Sequence, residues 1–295
     1  MLTLEATATG MEARLDGELV LGYVDGSAGR KPYLHPLALP GGQVLTDDSP
    51  TDHLHHHGAW FAHHLVQTGD GNWDFYLERG TPREGRQVHQ GYDRLVTSGK
   101  RVGLRAFHTW RSPTDQQVAR STWDIRITSI AAGGEPLVVI DWAIMLAAID
   151  GTLTLQPTNE SAMPLVRPAP GLTPRGGGLL LNSRGQRNEG ETFGRPAEWI
   201  DCSGEAGGAR CGLALFDHPH NPGAPQPWFT RNYGPFGPHF SYFAEPLVIP
   251  PWRPLFLHHR LLLHRGDAAE AGIQARWQDY AASVAFGDDM HMQDR

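Results

Sequence analysis

Apolar and polar residues alternate with a period of two along most of this chain, the pattern of half-buried β-strands. Glu12 to Val24 reads as two such strands around an Asp16-Gly17 turn, a dipeptide suited to tight hairpins. Arg101 to Trp110, Ala119 to Thr128, Leu137 to Leu146 and Gly151 to Gln156 continue the alternation. Gly178 to Asn182, Ala197 to Cys202, Cys211 to Phe216 and Phe256 to His264 repeat it. Asp150-Gly151, Gly133-Gly134 and Gly207-Gly208 separate these runs with turn signals. Only residues 268–285 change period: Ile273, Trp277, Tyr280 and Val284 recur at spacings of three and four, the apolar stripe of a short C-terminal helix. The last ten residues are polar and read as a frayed end. Without a long linker or a fixed repeat, the pattern predicts an all-β fold. It is a large antiparallel β-sandwich over residues 1–295, one domain, with a helix at about 268–285.

Composition narrows the function classes. Apolar residues make up 40% and charged residues 19%, ordinary for a globular chain, while 35 glycines and 23 prolines fit many short elements joined by turns. The net charge of −7, with no basic stripe, argues against a nucleic-acid-binding face. The longest apolar run, Pro136 to Ile149, contains Asp141 and falls short of the roughly 20 residues a membrane-spanning helix needs. No basic start followed by an apolar run marks a signal peptide, so the expectation is a cytoplasmic protein without a membrane partner. Cys202 and Cys211 flank a hairpin turn and are expected as free structural thiols rather than a disulfide.

Candidate chemistry begins with six histidines in twelve positions: His53, His55, His56, His57, His63 and His64. Histidine titrates near neutrality, so such a cluster points to proton transfer or metal ligation. If Leu54 to Leu65 is extended, His55 and His57 share one face about 7 Å apart, with His56 on the other. The alternation then runs on, with Ala59, Phe61 and His63 opposite Trp60, Ala62 and His64. A second concentration is Asp217-His218-Pro219-His220-Asn221-Pro222, followed by Trp228, Arg231 and Tyr233. The aromatic rings there suit stacking on a sugar ring, and a planar guanidinium suits paired hydroxyls or a carboxylate. Arg86 and His89 form a third group near the histidine run, and Arg184 with Glu198 a fourth.

These residues resemble the PmoA-like family of bacterial proteins. The likeness rests on Pro50 and Asp52 before His56-His57-Gly58, then Gly85-Arg86-x-x-His89. It continues through Glu198-Trp199-Ile200-Asp201-x-Ser203-Gly204 and the block Asp217-His218-Pro219-x-Asn221-Pro222 to Pro227-Trp228-Phe229-x-Arg231. It covers roughly residues 30 to 265. His55 stands where that family usually has tryptophan, which confines the carry-over to His56 and His57. The resemblance implies a galactose-mutarotase-like supersandwich and work on carbohydrates. The methane-oxygenase label attached to that family does not fit, because a membrane monooxygenase subunit needs several apolar spans.

The leading expectation is a carbohydrate-active enzyme with a small-molecule sugar as its partner. It would perform acid–base chemistry, as an epimerase or mutarotase or as a glycoside lyase or hydrolase. His57 or His89 would act as general acid or base with Asp217 as partner. His56, Arg86, Arg184, His218, Asn221, Trp228 and Arg231 would bind substrate, Trp228 as the stacking wall. One alternative is a lyase or hydrolase using a divalent metal ion held among His56, His57, His89, Asp217 and His218. Another is a noncatalytic sugar-binding module. The joint site requires the early histidines and the later acid–arginine loop to open into one cleft.

Overall fold

The alternating runs pair as antiparallel strands, and the computed structural model describes residues 1–132, 135–239 and 245–283. Gly133-Gly134, Val284 and the polar end lie outside the described residues. Among those described, the larger sheet orders Ser98–Gly99, Leu2–Thr7, Gly10–Leu15, Glu18–Val24, Tyr33–Leu39, Ala59–His63, Ser161–Val166, Phe236–Pro238 and Trp228–Thr230, with Gln43–Val44 alongside Tyr33–Leu39. The second orders Leu179–Asn182, Trp199–Ala206, Ala209–Asp217, Leu255–Arg265, Glu135–Ala148, Gln117–Ala132, Arg101–Arg111 and Arg86–Val96. A small side sheet joins Leu247–Ile249, Leu153–Leu155, Val66–Thr68 and Gly71–Trp73. The expected Asp16-Gly17 hairpin is present, with φ of 51° and 89° at its two corner residues, the left-handed pair a tight two-residue turn requires.

The two large sheets face each other. Leu21, Leu37, Ala59, Phe61 and Val166 of one and Leu104, Trp123, Ile140, Trp142 and Leu261 of the other lie in a single buried apolar cluster. This is the β-sandwich expected from the alternation. The period-two rule then decides what each strand shows to the outside. On Ala59–His63, Ala59 and Phe61 enter the main core, while Trp60 and Ala62 join a separate outer cluster with Tyr76, Leu77, Leu165 and Phe229. On Glu135–Ala148, Val138, Ile140 and Trp142 point in, while Leu137 and Val139 face the C-terminal helix.

The helix is Ile273–Ala281, starting where the stripe starts and later than the expected 268. Gly272 adopts a left-handed conformation (φ 61°), and the Asp267 carboxylate accepts from the amides of Ala269 and Glu270, which holds 267–272 in turns. Its Tyr280 and Ile273 cover Phe216 and Leu262 on the outer face of the second sheet. Cys202 and Cys211 are buried free thiols. In the hairpin register Cys202 opposes Leu213 and Cys211 opposes Gly204, so they are not a facing pair. Among the described residues no helix is long and apolar enough to cross a membrane.

Candidate functional site

The histidine run is not a strand until Ala59. Residues 51–57 form turns, closed by the Ser49 amide on the His56 carbonyl (2.8 Å) and the His56 amide on that of His53 (2.9 Å). The expected shared face of His55 and His57 is therefore replaced by a folded loop. Gly58 lets that loop approach the neighbouring strand: a Cβ there would lie 2.3 Å from the Leu34 carbonyl oxygen. A second loop, 74–84, packs over the outer face of the same sheet. The Asp74 carboxylate accepts from the amides of Tyr76 and Leu77, and the Glu84 carboxylate accepts from Arg79, Gly80 and Thr81. Two buried acids thus shape a polar loop and deliver Tyr76 and Glu78 beside the histidines.

The centre of this assembly is His57. Its Nδ1 lies 2.6 Å from Asp48 Oδ1, its Nε2 lies 3.5 Å from Glu78 Oε2, and its ring stacks on Tyr33 at 4.1 Å and 10°. Lys31, wholly buried, donates from Nζ to Glu78 Oε1 (2.9 Å) and to the Tyr76 carbonyl (2.8 Å). Burial alone pushes both carboxyls up, but the hydrogen bond and charge of His57 outweigh it at Asp48. At Glu78 the same contacts, with Lys31, hold the carboxyl at about 2. Burial lowers Lys31, opposed by Glu78, and raises Tyr33 to about 12, helped by the charge of Asp48. An ionised Asp48 can only accept, so His57 Nδ1 carries a proton. The remaining nitrogen, Nε2, then either presents a lone pair or, once protonated, donates toward Glu78.

Beside it, His56 is held neutral, chiefly by burial and then by its histidine neighbours. Arg167 Nη1 lies 3.2 Å from His56 Nδ1 and can only donate, so the ring proton sits on Nε2 and is directed to the Tyr76 hydroxyl at 3.3 Å. Arg167 also pairs with Asp52 (3.1 Å), while its Nε is buried without a hydrogen-bond partner among the described residues. His53 stacks between His56 (4.5 Å) and Tyr233 (5.0 Å), and His55 lies 3.9 Å from Glu160. Arg167 and Arg175 both sit 5.3 Å over the Tyr233 ring. The acids stay within reach of solvent, with side-chain exposures of 27% at Asp48, 46% at Asp52 and 31% at Glu160.

The later motifs go elsewhere. Asp217 is buried; its carboxylate accepts from Asn221 Nδ2 (2.6 Å) and the Gln226 amide (3.2 Å), and burial raises it to about 7 despite those bonds. Asn221 also bonds both backbone groups of His258, so the pair anchors the 218–226 loop to the second sheet instead of meeting His57. His218 is fully buried, edge-on to Tyr280 at 4.9 Å. Trp228 is fully buried in the main core and donates to the Ala197 carbonyl, so it is a packing residue and not the expected stacking wall. Arg231 lies over both Phe193 (4.3 Å) and Phe229 (4.4 Å), whose rings meet edge-on, and is paired with Glu189, near Tyr233. Arg184 is exposed and pairs with Glu198. Arg86 is exposed on Asp115, and His89 contacts Tyr23 and Tyr92.

The metal alternative loses its ligand set for the same reason: both ring nitrogens of His56 are committed to Arg167 and Tyr76, and His57 Nδ1 to Asp48, away from the Asp217 anchor. Among the described residues no three His, Cys, Asp or Glu side chains form a group able to hold a metal ion. A cleft of about 1030 Å³ beside that anchor, lined by His220, Trp252, Phe256 and His258 among others, has no carboxylate in its lining and is unsuited to paired acid–base work.

Lys31, Tyr33, Asp48, Tyr76, Glu78, Glu160 and Arg167 are the residues that sequence reasoning missed. Arg167 carried a signal, as a lone charge at the end of the apolar run Ser161–Val166 that proves wholly buried. The fold and site together define an all-β sandwich with a histidine–carboxylate centre on the outer face of its larger sheet. The chain belongs to the family of unknown function DUF6807, which it matches over residues 10–278. That match brings no link to the PmoA-like family. No curated protein matches it.

Proposed function

We propose that this protein is a carbohydrate-active enzyme that moves protons on a hydroxyl-bearing substrate at the Asp48–His57–Glu78 centre. The observation that carries the reading is His57, with Asp48 on one ring nitrogen and Glu78 facing the other. Asp48 orients the ring and stabilises the imidazolium, Nε2 takes or returns the substrate proton, and Glu78, fixed by Lys31, receives the charged ring. Partly exposed acids around the centre accept from sugar hydroxyls. Epimerisation, mutarotation and glycoside elimination or hydrolysis all need such a base and acid. The free buried thiols agree with work in a reducing cytoplasm.

Screening mono- and disaccharides by NMR for anomeric exchange, epimerisation or cleavage gives the assay. His57→Ala should then lower turnover by about 10²–10⁴-fold with the unfolding midpoint nearly unchanged. Full turnover in both His57→Ala and Glu78→Gln would overturn the assignment.

A further inference from the structure

His89 does not belong to the His57 centre, yet it stands at the wall of a cleft of its own. A cavity of about 250 Å³ is lined by Asp25, Ser27 and Gly29 from the connection after Glu18–Val24, and by Arg86, Val88 and His89 from the facing strand. Counting about 30 Å³ per water, it has room for roughly eight, the scale of one six-carbon polyol. The same connection runs on into Lys31 and Tyr33, so one segment serves this cleft and the other site.

Behind the wall lies a hydrogen-bonded relay that the His57 chemistry does not use. Tyr23 Oη sits 3.2 Å from His89 Nδ1 and 2.8 Å from Nε2 of buried His108, joining the two sheets. A phenol has one hydrogen, so Tyr23 donates to one ring and accepts from the other. In one arrangement His89 Nε2 carries the proton and donates outward; in the other it presents a lone pair. The two arrangements differ in the tautomer of both rings as well as in the direction of the Tyr23 hydroxyl. Tyr92, 4.4 Å from His89 ring to ring, buries a hydroxyl with no hydrogen-bond partner among the described residues.

We propose that this cleft is a second small-molecule site, separate from the His57 centre, for an uncharged polyol or monosaccharide. A hydroxyl both donates and accepts, so it meets His89 in either arrangement, and a neighbouring hydroxyl donates to Asp25. Arg86 is already paired with Asp115, so Asp25 sets the sign of the wall and opposes an anion, while a neutral hydroxylated ligand can meet both His89 and that carboxylate.

The test titrates ¹⁵N-labelled full-length protein with myo-inositol, D-glucose and, as contrast, inorganic phosphate, following the histidine ring nitrogens by long-range ¹H–¹⁵N correlation. A polyol or sugar should shift the His89 signals saturably, and equally in the His57→Ala variant. Asp25→Asn, which keeps an acceptor for the Ser27 amide, should weaken that binding about tenfold or more, as should His89→Gln. No saturable shift, a response to phosphate alone, or a response lost in His57→Ala but retained in His89→Gln would overturn the second site. Turnover at His57 is measured in parallel, so failure here is distinguishable from failure of the catalytic reading.

Discussion

At the scale of single residues, Asp217, which sequence reasoning chose, and Asp48, which it missed, behave oppositely because of what surrounds them. Asp48 is half-buried with His57 on it and stays ionised; among the described residues Asp217 accepts from neutral amides, with His259 Nδ1 3.8 Å away, and burial carries it to about 7. The consequence for stability has a definite sign. An acid whose folded pKa is raised binds its proton more tightly in the folded state, so between about 4 and about 7 the folded protein holds a proton the unfolded chain lacks. Its contribution is therefore greatest below pH 4 and is lost as pH rises toward 7. Asp217→Asn fixes a neutral group there. The difference in melting temperature, variant minus parent, should grow more positive from pH 4 to pH 7.5; a difference independent of pH would show that Asp217 is not neutral in the folded state.

At the scale of elements, the site hangs on two loops, and their acids and one glycine decide whether His57 and Glu78 meet. Gly58→Ala places a methyl 2.3 Å from the Leu34 carbonyl, and backbone must move to admit it. The expected loss is about 1–3 kcal/mol in urea unfolding, accompanied by lower turnover as the His57 loop lifts; an unchanged midpoint would mean that the loop is not held against that strand. This is also where the sequence stops being informative. Strands and their inward faces were legible because period two is a local property: Ala59 and Phe61 against Trp60 and Ala62 came out as the alternation requires. The turn at 51–57 was not, because Ser49 to His56 and His53 to Pro50 are bonds between backbone groups that leave no composition signal. Glu78 and Lys31 meet from segments 47 positions apart, and nothing local announces that pairing. Asp217 and Asn221 failed the other way, since a buried acid–amide anchor of a loop reads in sequence like a catalytic motif.

At the scale of the whole molecule, the histidines that do no chemistry set the acid limit. Burial, the largest cause in each case, lowers His63 to about 4 and His55, His108, His239 and His259 to about 3. A base whose folded pKa is depressed leaves stability intact above its unfolded value of 6.5 and removes it as pH falls toward the folded value. Near pH 5.5 the unfolded chain charges these five and also His56, which the fold likewise holds neutral, while Asp217 contributes one proton of the opposite sign. The net uptake on unfolding is then between four and five protons, about 6 kcal/mol per pH unit. Since a domain is stable by only about 5–15 kcal/mol, that slope outweighs any single contact and places cooperative acid unfolding between pH 6 and about 4. The carboxylates at the His57 centre add to the loss only lower, because Glu78 gives up its advantage below its ordinary range near 4.5. Urea unfolding at pH 8, 6.5, 5.5 and 4.5 measures the slope directly. Stability that is level from 7 to 5 would mean that these rings are charged inside the fold or reach water, and the burial of those histidines would be refuted.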